Sequence, residues 1–409
     1  MNGESFRFLH AGDFHLERPL GDLDELPQHL ADSLAAAPWR AAESVFEAAI
    51  VEGVDFVVLS GNLLNPSAAG PRGIALLVDH FSKLAEQQIP VFWAAGETDD
   101  PAKWPEAIRL PENVTLFPKG RTESLPVIRN GQTLCLVVGR SSEGRSAIHV
   151  PSYRQDPTDH FTVAVGSGSS TAETLAEGRF DYWALGGSKQ RKQLDNVANV
   201  GAVYCGSPQG RNLTEPGAHG YTLVDVDPDG NGRVHHVDAD RFRYCSIKLD
   251  ASEMAGNHDI RSTLTARIQR LQHEHGDHPL LLAWDLSLSS ECLQSVGDPG
   301  QLLKWLRQDF GHGKPEAWTV QLTIRPPQNY PTSWREEDTI LGDFLRAVER
   351  NRKDGSGDVN LKPFTEEHPH LPASVATLLA EPASSARAAM LDQAALLGVD
   401  LLRGGKVKP

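Results

Sequence analysis

Asp13 and His15 stand two residues apart in Phe8-Leu-His-Ala-Gly-Asp-Phe-His-Leu16, directly after a short apolar run. Side chains two apart in an extended segment share a face. A carboxylate and an imidazole placed this way can grip one divalent ion at the carboxyl end of a strand. The same pattern also fits a polar loop, so the surrounding elements have to decide between the two.

Those elements alternate. Phe6–His10 reads as a strand. After a polar loop, Trp39–Glu52 has helical spacing, with Ala42, Val45, Phe46, Ala49 and Ile50 on one face. Val54–Ser60 is apolar on both faces, as a buried strand should be, and ends at Gly61-Asn-Leu-Leu-Asn65. A helix over Gly73–Gln88 leads to a strand at Ile89–Ala95, ended by Gly96-Glu-Thr-Asp99. Shorter strands are predicted at Val114–Phe117, Leu125–Ile128, Thr133–Gly139, Phe161–Val165, Tyr182–Leu185, Val203–Cys205 and Tyr221–Val226. This is an α/β pattern with polar loops at successive strand ends, where open sheets place their sites. Trp93 and Trp183 fall in strand patterns and read as core.

Composition bounds the function. The chain has 409 residues, 40% hydrophobic and 23% charged, enough for two or three globular domains. A formal net charge of −15 argues against nucleic-acid binding by bulk attraction, though not against a local basic groove. Cys135, Cys205, Cys245 and Cys292 are far apart and form no CxxC. That pattern implies reduced thiols in the cytoplasm and no structural zinc. Neither a signal peptide nor a membrane span is expected.

Three motifs then carry a resemblance. The series D-x-H, G-N-x-x-N after "DFVVLS", and G-E-T-D after "IPVFWAA" resembles the calcineurin-like metallophosphoesterases, which read D-x-H, G-D-x-x-D and G-N-H-D there. Within that family, "DYWALGG" and the run Gly206–Tyr221 are similar to SbcD-type DNA repair exonucleases. The resemblance implies a metallophosphoesterase-type β-sheet sandwich flanked by helices. It further implies a small α/β capping domain and a C-terminal helical segment, with domains at 1–240, 241–327 and 328–409.

Phosphodiester hydrolysis at a dinuclear centre needs two ions about 3.5–4 Å apart, a bridging carboxylate and a nearby imidazole. Asp13 and His15 match the family's first two ligands. The bridging Asp falls on Asn62, whose amide offers one neutral oxygen, and the second Asp of that motif on Asn65. The Asn and His of G-N-H-D fall on Glu97 and Thr98. Glu97 can still ligate, whereas Thr98 cannot protonate a phosphate as an imidazole would. Asp99 is kept as a supporting residue. Ser167 stands nearest to a further family His, and Gly187 and Lys189 replace the two histidines of A-L-G-H-x-H. A literal Gly256-Asn-His-Asp259 lies outside this series and reads as a helix start.

Three functions compete on these losses. In the first, the fold persists without catalysis, and the protein serves as a scaffold or partner subunit, with an SbcC-like ATPase as the partner the resemblance implies. Here Lys189 would pair with Asp13 or Glu97 in place of an ion, and no cofactor is needed. In the second, Asp13, His15, Asn62 and Glu97 hold a single Mn²⁺ or Mg²⁺ in a rebuilt phosphodiesterase or DNA exonuclease. In the third, Arg191, Lys192 and Arg211 touch phosphates of bound DNA without hydrolysis. A homodimer is compatible with each, and no membrane partner is expected.

The remainder is read as strand Tyr244–Leu249, helix Ile260–Glu274, strand Pro279–Leu288, helix Gln301–Phe310 and strand Trp318–Ile324. His273, His275, His278 and His312 are read as surface residues. A linker at Arg325–Pro331 precedes an amphipathic helix at Ile340–Arg350. Val375–Ala380 and Ala386–Leu397 are further helical pieces, suited to docking on the chain's own domain or on a partner.

Overall fold

The structure is a computed structural model. It describes residues 4–23, 25–100, 103–105, 108–144, 147–154, 156–251, 257–288, 299–325 and 332–353, together with 391, 394, 395, 398, 399, 401 and 402. The linker and the C-terminal pieces 375–380 and 386–390, like Cys292, lie outside the described residues. The chain divides into two compact units. One is Met1–Cys245 with His278–Leu281, the other Ser246–Asp277 with Leu282–Pro409.

The first unit is built on two six-stranded sheets. One contains β1 (Phe6–Ala11), β2 (Phe56–Leu59), β3 (Val91–Trp93), β4 (Val114–Leu116), β11 (Gly220–Val226) and β12 (Gly232–Asp238), ordered β12-β11-β1-β2-β3-β4. The other contains β5 (Glu123–Arg129), β6 (Gln132–Gly139), β7 (Phe161–Ser167), β8 (Tyr182–Gly186), β9 (Lys192–Leu194) and β10 (Gly201–Tyr204), ordered β5-β6-β7-β8-β10-β9. Strands β1 to β4 pair in parallel, as do β6, β7, β8 and β10. Their carboxyl ends therefore lie along one edge of each sheet.

Period-two alternation makes the sandwich. Phe6 and Phe8 of β1, Phe56 and Val58 of β2, and Phe92 of β3 form one cluster with Val137, Val163, Val165 and Tyr182 of the other sheet. Burying each such side chain contributes about 1.5–3 kcal/mol. The intervening residues Leu9, Val57, Leu59, Val91 and Trp93 pack instead with helices α1 (Gln28–Val51) and α2 (Pro66–Glu86). The outer face of the second sheet, with Ala164, Trp183 and Leu185, is covered by Val150, Tyr153 and Leu175, the last from the short helix α3 (Ala172–Ala176). The layers thus run helix, sheet, sheet, helix. Trp93 and Trp183 are both fully buried.

Two helices start earlier than their apolar spacing suggests. Helix α1 begins at Gln28, burying Leu30, Leu34, Ala37 and Ala41 at intervals of three and four, and it accommodates Pro38 internally. Helix α2 begins at Pro66 because Asn65 caps it, accepting the Ser67 amide proton at 3.1 Å. A kink at Gly70, with φ of 63°, had hidden the first turn from periodicity.

The second unit carries most of a three-stranded sheet, ordered β13 (Arg243–Ala251), β14 (Leu280–Leu288), β15 (Ala317–Arg325). Helices α4 (Asn257–His275) and α5 (Pro299–Phe310) accompany it, and Asn257–Asp259 open α4. After α6 (Thr332–Glu336), helix α7 (Ile340–Lys353) places Leu345 and Val348 against Ala395 and Val399. Among the described residues, no helix is long and apolar enough to cross a membrane.

Candidate metal centre

The first-unit loops that follow β1, β2, β3, β7 and β8 hold the predicted positions. Asp13 (φ 52°), His15 (φ 45°) and Asn62 (φ 56°) all adopt left-handed backbone, which costs non-glycine residues on the order of 1–3 kcal/mol each and clusters at functional sites. Backbone bonds stitch these turns together. The Asp13 amide donates to Gly61 O at 2.8 Å and the His15 amide to Asn62 O at 2.9 Å. Glycine is required where they touch, since a Cβ on Gly61 would stand 2.4 Å from the Gly96 nitrogen.

Asp13 is buried, and neutral donors meet both of its oxygens. Asn62 Nδ2 donates to Oδ1 at 2.9 Å, and the Gly187 amide donates to Oδ2 at 2.9 Å. Burial nevertheless pushes the Asp13 carboxyl up to about 6, against the pull of Asn62, His15 and Gly187. The orientation of the Asn62 amide follows from its partners. Its Oδ1 accepts the backbone protons of Glu97 at 2.9 Å and Thr98 at 3.2 Å, and the Thr98 hydroxyl donates to it at 3.3 Å. The NH₂ must therefore face the carboxylate. Asn62 thus presents a donor, not a ligand oxygen, to Asp13.

His15 is buried with Nε2 3.8 Å from Asp13 Oδ1 and Nδ1 3.6 Å from Glu17 Oε1. Glu97 is exposed, and Thr98 is half-buried. Asp99, fully buried, accepts from the amides of Asn62, Leu63 and Gly96 and from Trp93 Nε1, at 2.6 to 3.1 Å. Burial outweighs these bonds and raises its carboxyl. Ser167 ends β7 beside the β8 turn, its hydroxyl 3.5 Å from where a Cβ on Gly187 would stand. Gly187 itself has φ of 93°, a conformation that disfavours any side chain.

Lys189 corrects one expectation. Its Nζ bonds Glu215 Oε1 at 2.8 Å instead of Asp13 or Glu97. The Glu215 carboxylate is only 3% exposed and needs a cation, while Asp13 is already saturated by amides. Arg211 corrects another. It is buried and cannot reach a bound phosphate. Its guanidinium donates to the carbonyls of Arg18 (2.6 Å), Phe14 and His15 (3.4 Å), and its amide to Glu215 Oε2 (2.9 Å). Burial pulls Arg211 down to about 10, with Glu215 and Glu17 holding it up. Arg191 Nη2 meets Gln193 Oε1 at 3.4 Å, and Lys192 is exposed.

Sequence patterns missed three supports of this site. Glu17 accepts the Asn65 amide proton at 3.0 Å and tethers the first loop to the second. Glu215 anchors the last loop, as above. His10 points between the sheets, 3.0 Å from both Tyr182 OH and Ser60 Oγ. Burial, with Arg191 assisting, lowers it to about 3 and keeps it neutral. Only the alternation that puts His10 on the same face as Phe6 and Phe8 could have signalled it.

A second group, also in the first unit, joins Asp238, Asp240 and His278, with ligand atoms within 4.8 Å of one another. His278, read as surface, sits 3.5 Å from Asp240. The Arg243 guanidinium already bridges both carboxylates at 2.7 to 2.9 Å, in the place a cation would take.

Residues 6–204 match the model of the family described as calcineurin-like phosphoesterase. Residues 6–204 are thus similar to that family, over just under half of the chain. The curated relative Uncharacterized metallophosphoesterase YhaO of Bacillus subtilis (strain 168) is 28% identical over 233 residues, which cover 54% of this chain. The alignment spans 57% of that relative's length. The crystal structure of TT1561 of Thermus thermophilus aligns with 15% identity and a TM-score of 0.33, covering 56% of this chain and 98% of that one.

That family's chemistry rests on divalent ions, and the donors present at the corresponding positions of residues 6–204 do not fit a dinuclear centre. Asn62 turns its NH₂ inward, Gly187 offers only a backbone N–H, and Lys189 offers no ligand, its ammonium being paired with Glu215. Asp13 and His15 are left as two adjacent anionic and imidazole donors without a bridging carboxylate.

Proposed function

We propose that this protein is a catalytically impaired metallophosphoesterase of the SbcD-like type, acting as a scaffold or partner subunit. The observation that carries this reading is the Asn62 amide, which links Asp13 to the 97–98 turn by hydrogen bonds where a dinuclear enzyme needs a bridging anion. Gly187 completes the substitution. The loops keep their strained turns, and neutral donors hold them. The similarity of Gly206–Tyr221 to SbcD-type exonucleases supports a place in a DNA-repair assembly with an SbcC-like ATPase. The deciding test is the metal content of the purified protein after incubation with Mn²⁺, read by elemental analysis with a Mn²⁺-dependent melting curve. No bound ion and no shift are expected. One ion or more per chain would overturn the proposal in favour of a single-ion phosphodiesterase built on Asp13 and His15.

A further inference from the structure

Beside the β8 turn lies a small cavity of about 60 Å³ at the carboxyl ends of β6 and β7, with Ala147 and Ile148 forming an apolar part of its wall. Arg140, Ser141, Ser142, His149, Tyr153 and Ser167 line it, with Glu143 at its rim. We propose that this cavity binds a phosphate group, independently of any metal.

Size limits the ligand. A water needs roughly 10–15 Å³ of such space, so the cavity has room for about four or five water-sized atoms. That suits a tetrahedral phosphate, and a base or sugar ring could not be enclosed with it. The donors suit it as well. The Arg140 guanidinium is a planar fork matched to phosphate oxygens, and its side chain is only 16% exposed. Ser167 and His149 line the same space, His149 exposed and with its Nδ1 2.7 Å from Ser152 Oγ. A guanidinium with a hydroxyl and an imidazole along the same lining offers N–H and O–H groups to phosphate oxygens.

The walls are fixed by their own bonds. Tyr153 OH donates to Val165 O at 3.1 Å, and Ser141 Oγ donates to Phe117 O at 2.5 Å. Ser142 closes a turn with Gly144, donating to its carbonyl at 2.6 Å and accepting its amide proton at 3.2 Å. Among the described residues, the charged groups facing Arg140 reduce to one, Glu143, whose carboxylate takes Nη2 at 2.9 Å. Its side chain is 55% exposed, so it competes weakly and yields to a dianion. Glu143 therefore acts as a placeholder for the ligand.

The test is calorimetric titration of the full chain with inorganic phosphate, and separately with phenyl phosphate, in EDTA at matched ionic strength. Sodium chloride and phenol are the blanks. Binding is expected, lost in Arg140→Met and about tenfold tighter in Glu143→Gln, where the competing carboxylate is gone. Binding of inorganic phosphate alone would mark a free anion as ligand. Binding of phenyl phosphate would mark a monoester, and either outcome supports the site. Absence of heat beyond the blanks, binding that survives Arg140→Met, or no gain in Glu143→Gln overturns it. Glu143→Gln keeps the guanidinium and its surroundings, so it decides the matter even if Arg140→Met folds poorly. EDTA removes divalent ions, so this outcome is separate from that of the Mn²⁺ experiment.

Discussion

An amide beside Asp13 changes what that carboxylate needs. With Asn62 in place, the pair is held by one hydrogen bond at 2.9 Å. Asn62→Asp would keep the acceptor for Glu97 and Thr98 but set two carboxylates against each other. Without a metal, the change should cost about 2–4 kcal/mol at pH 8. A carboxyl raised by such a neighbour stabilises the fold at low pH and loses that contribution as pH rises through its folded value. The deficit in urea unfolding should therefore shrink between pH 8 and pH 5. His10 acts with the opposite sign. Its folded value of about 3 lies below the ordinary 6.5, so its neutral form contributes stability above pH 6.5 that is lost as pH falls toward 3. The cost of His10→Gln should consequently diminish by about 1.4 kcal/mol per pH unit over that range, a slope measurable by urea unfolding at several pH values.

Loops carry the site, and buried charges pin the loops. Arg211 reaches from the segment after β10 to three carbonyls of the 14–18 turn, at the carboxyl end of β1. Arg211→Met would leave those carbonyls short of donors, while Glu215 keeps the residue-211 amide and Lys189. A loss of roughly 2–4 kcal/mol in urea unfolding is expected. The β8 turn explains why lost ligands are hard to restore one at a time. Gly187 lies at φ of 93°, so Gly187→His brings strain on the order of 1–2 kcal/mol along with its imidazole. The combined variant Asn62→Asp, Thr98→His, Gly187→His, Lys189→His should raise Mn²⁺ affinity above the parent's, at reduced stability. Elemental analysis showing no more metal than the parent would refute the assignment of these positions to the family motifs.

Over the whole first unit, the two sheets close on each other where β2 and β8 end. A Cβ on Gly186 would stand 1.9 Å from the Ser60 carbonyl oxygen. Backbone meets backbone there, and no rotamer can relieve the contact. Gly186→Ala should force the sheets apart beside Asp13, costing about 1–3 kcal/mol or more, visible as a lowered melting temperature. Net charge sets a second whole-molecule expectation. At −15 the chain repels a polyanion, and Arg211 is buried inside. Fluorescence anisotropy with duplex DNA at about 0.15 M salt should show no binding by the isolated chain.

The alternation of apolar runs and helical stretches was enough to expose an α/β pattern, because periods of 2 and 3.6 report burial directly, while the two-sheet sandwich was what the family resemblance implied. Phe6, Phe8 and Phe56 face one way and Leu9 and Val57 the other, as the pattern alone implies. The strand-end loops were equally legible, including the amide that Asn62 places beside Asp13. Lys189 illustrates where legibility stopped: its type was plain, but its partner Glu215 lies 26 residues away and only folding brings the two within 2.8 Å. The first turns of α1 and α2 were obscured by Pro38 and by the break at Gly70. His10, Glu17 and Arg211 belong to the same class as Lys189, since each owes its role to a long-range partner. The sequence by itself thus determined which residue types stand at the strand ends and which elements carry them, because residue type and period are local. Tertiary structure alone decided what those residues bond. An amide's orientation, a lysine's partner and a guanidinium's burial depend on groups distant in the chain, and the cost of leaving a buried polar group unpaired selects among them.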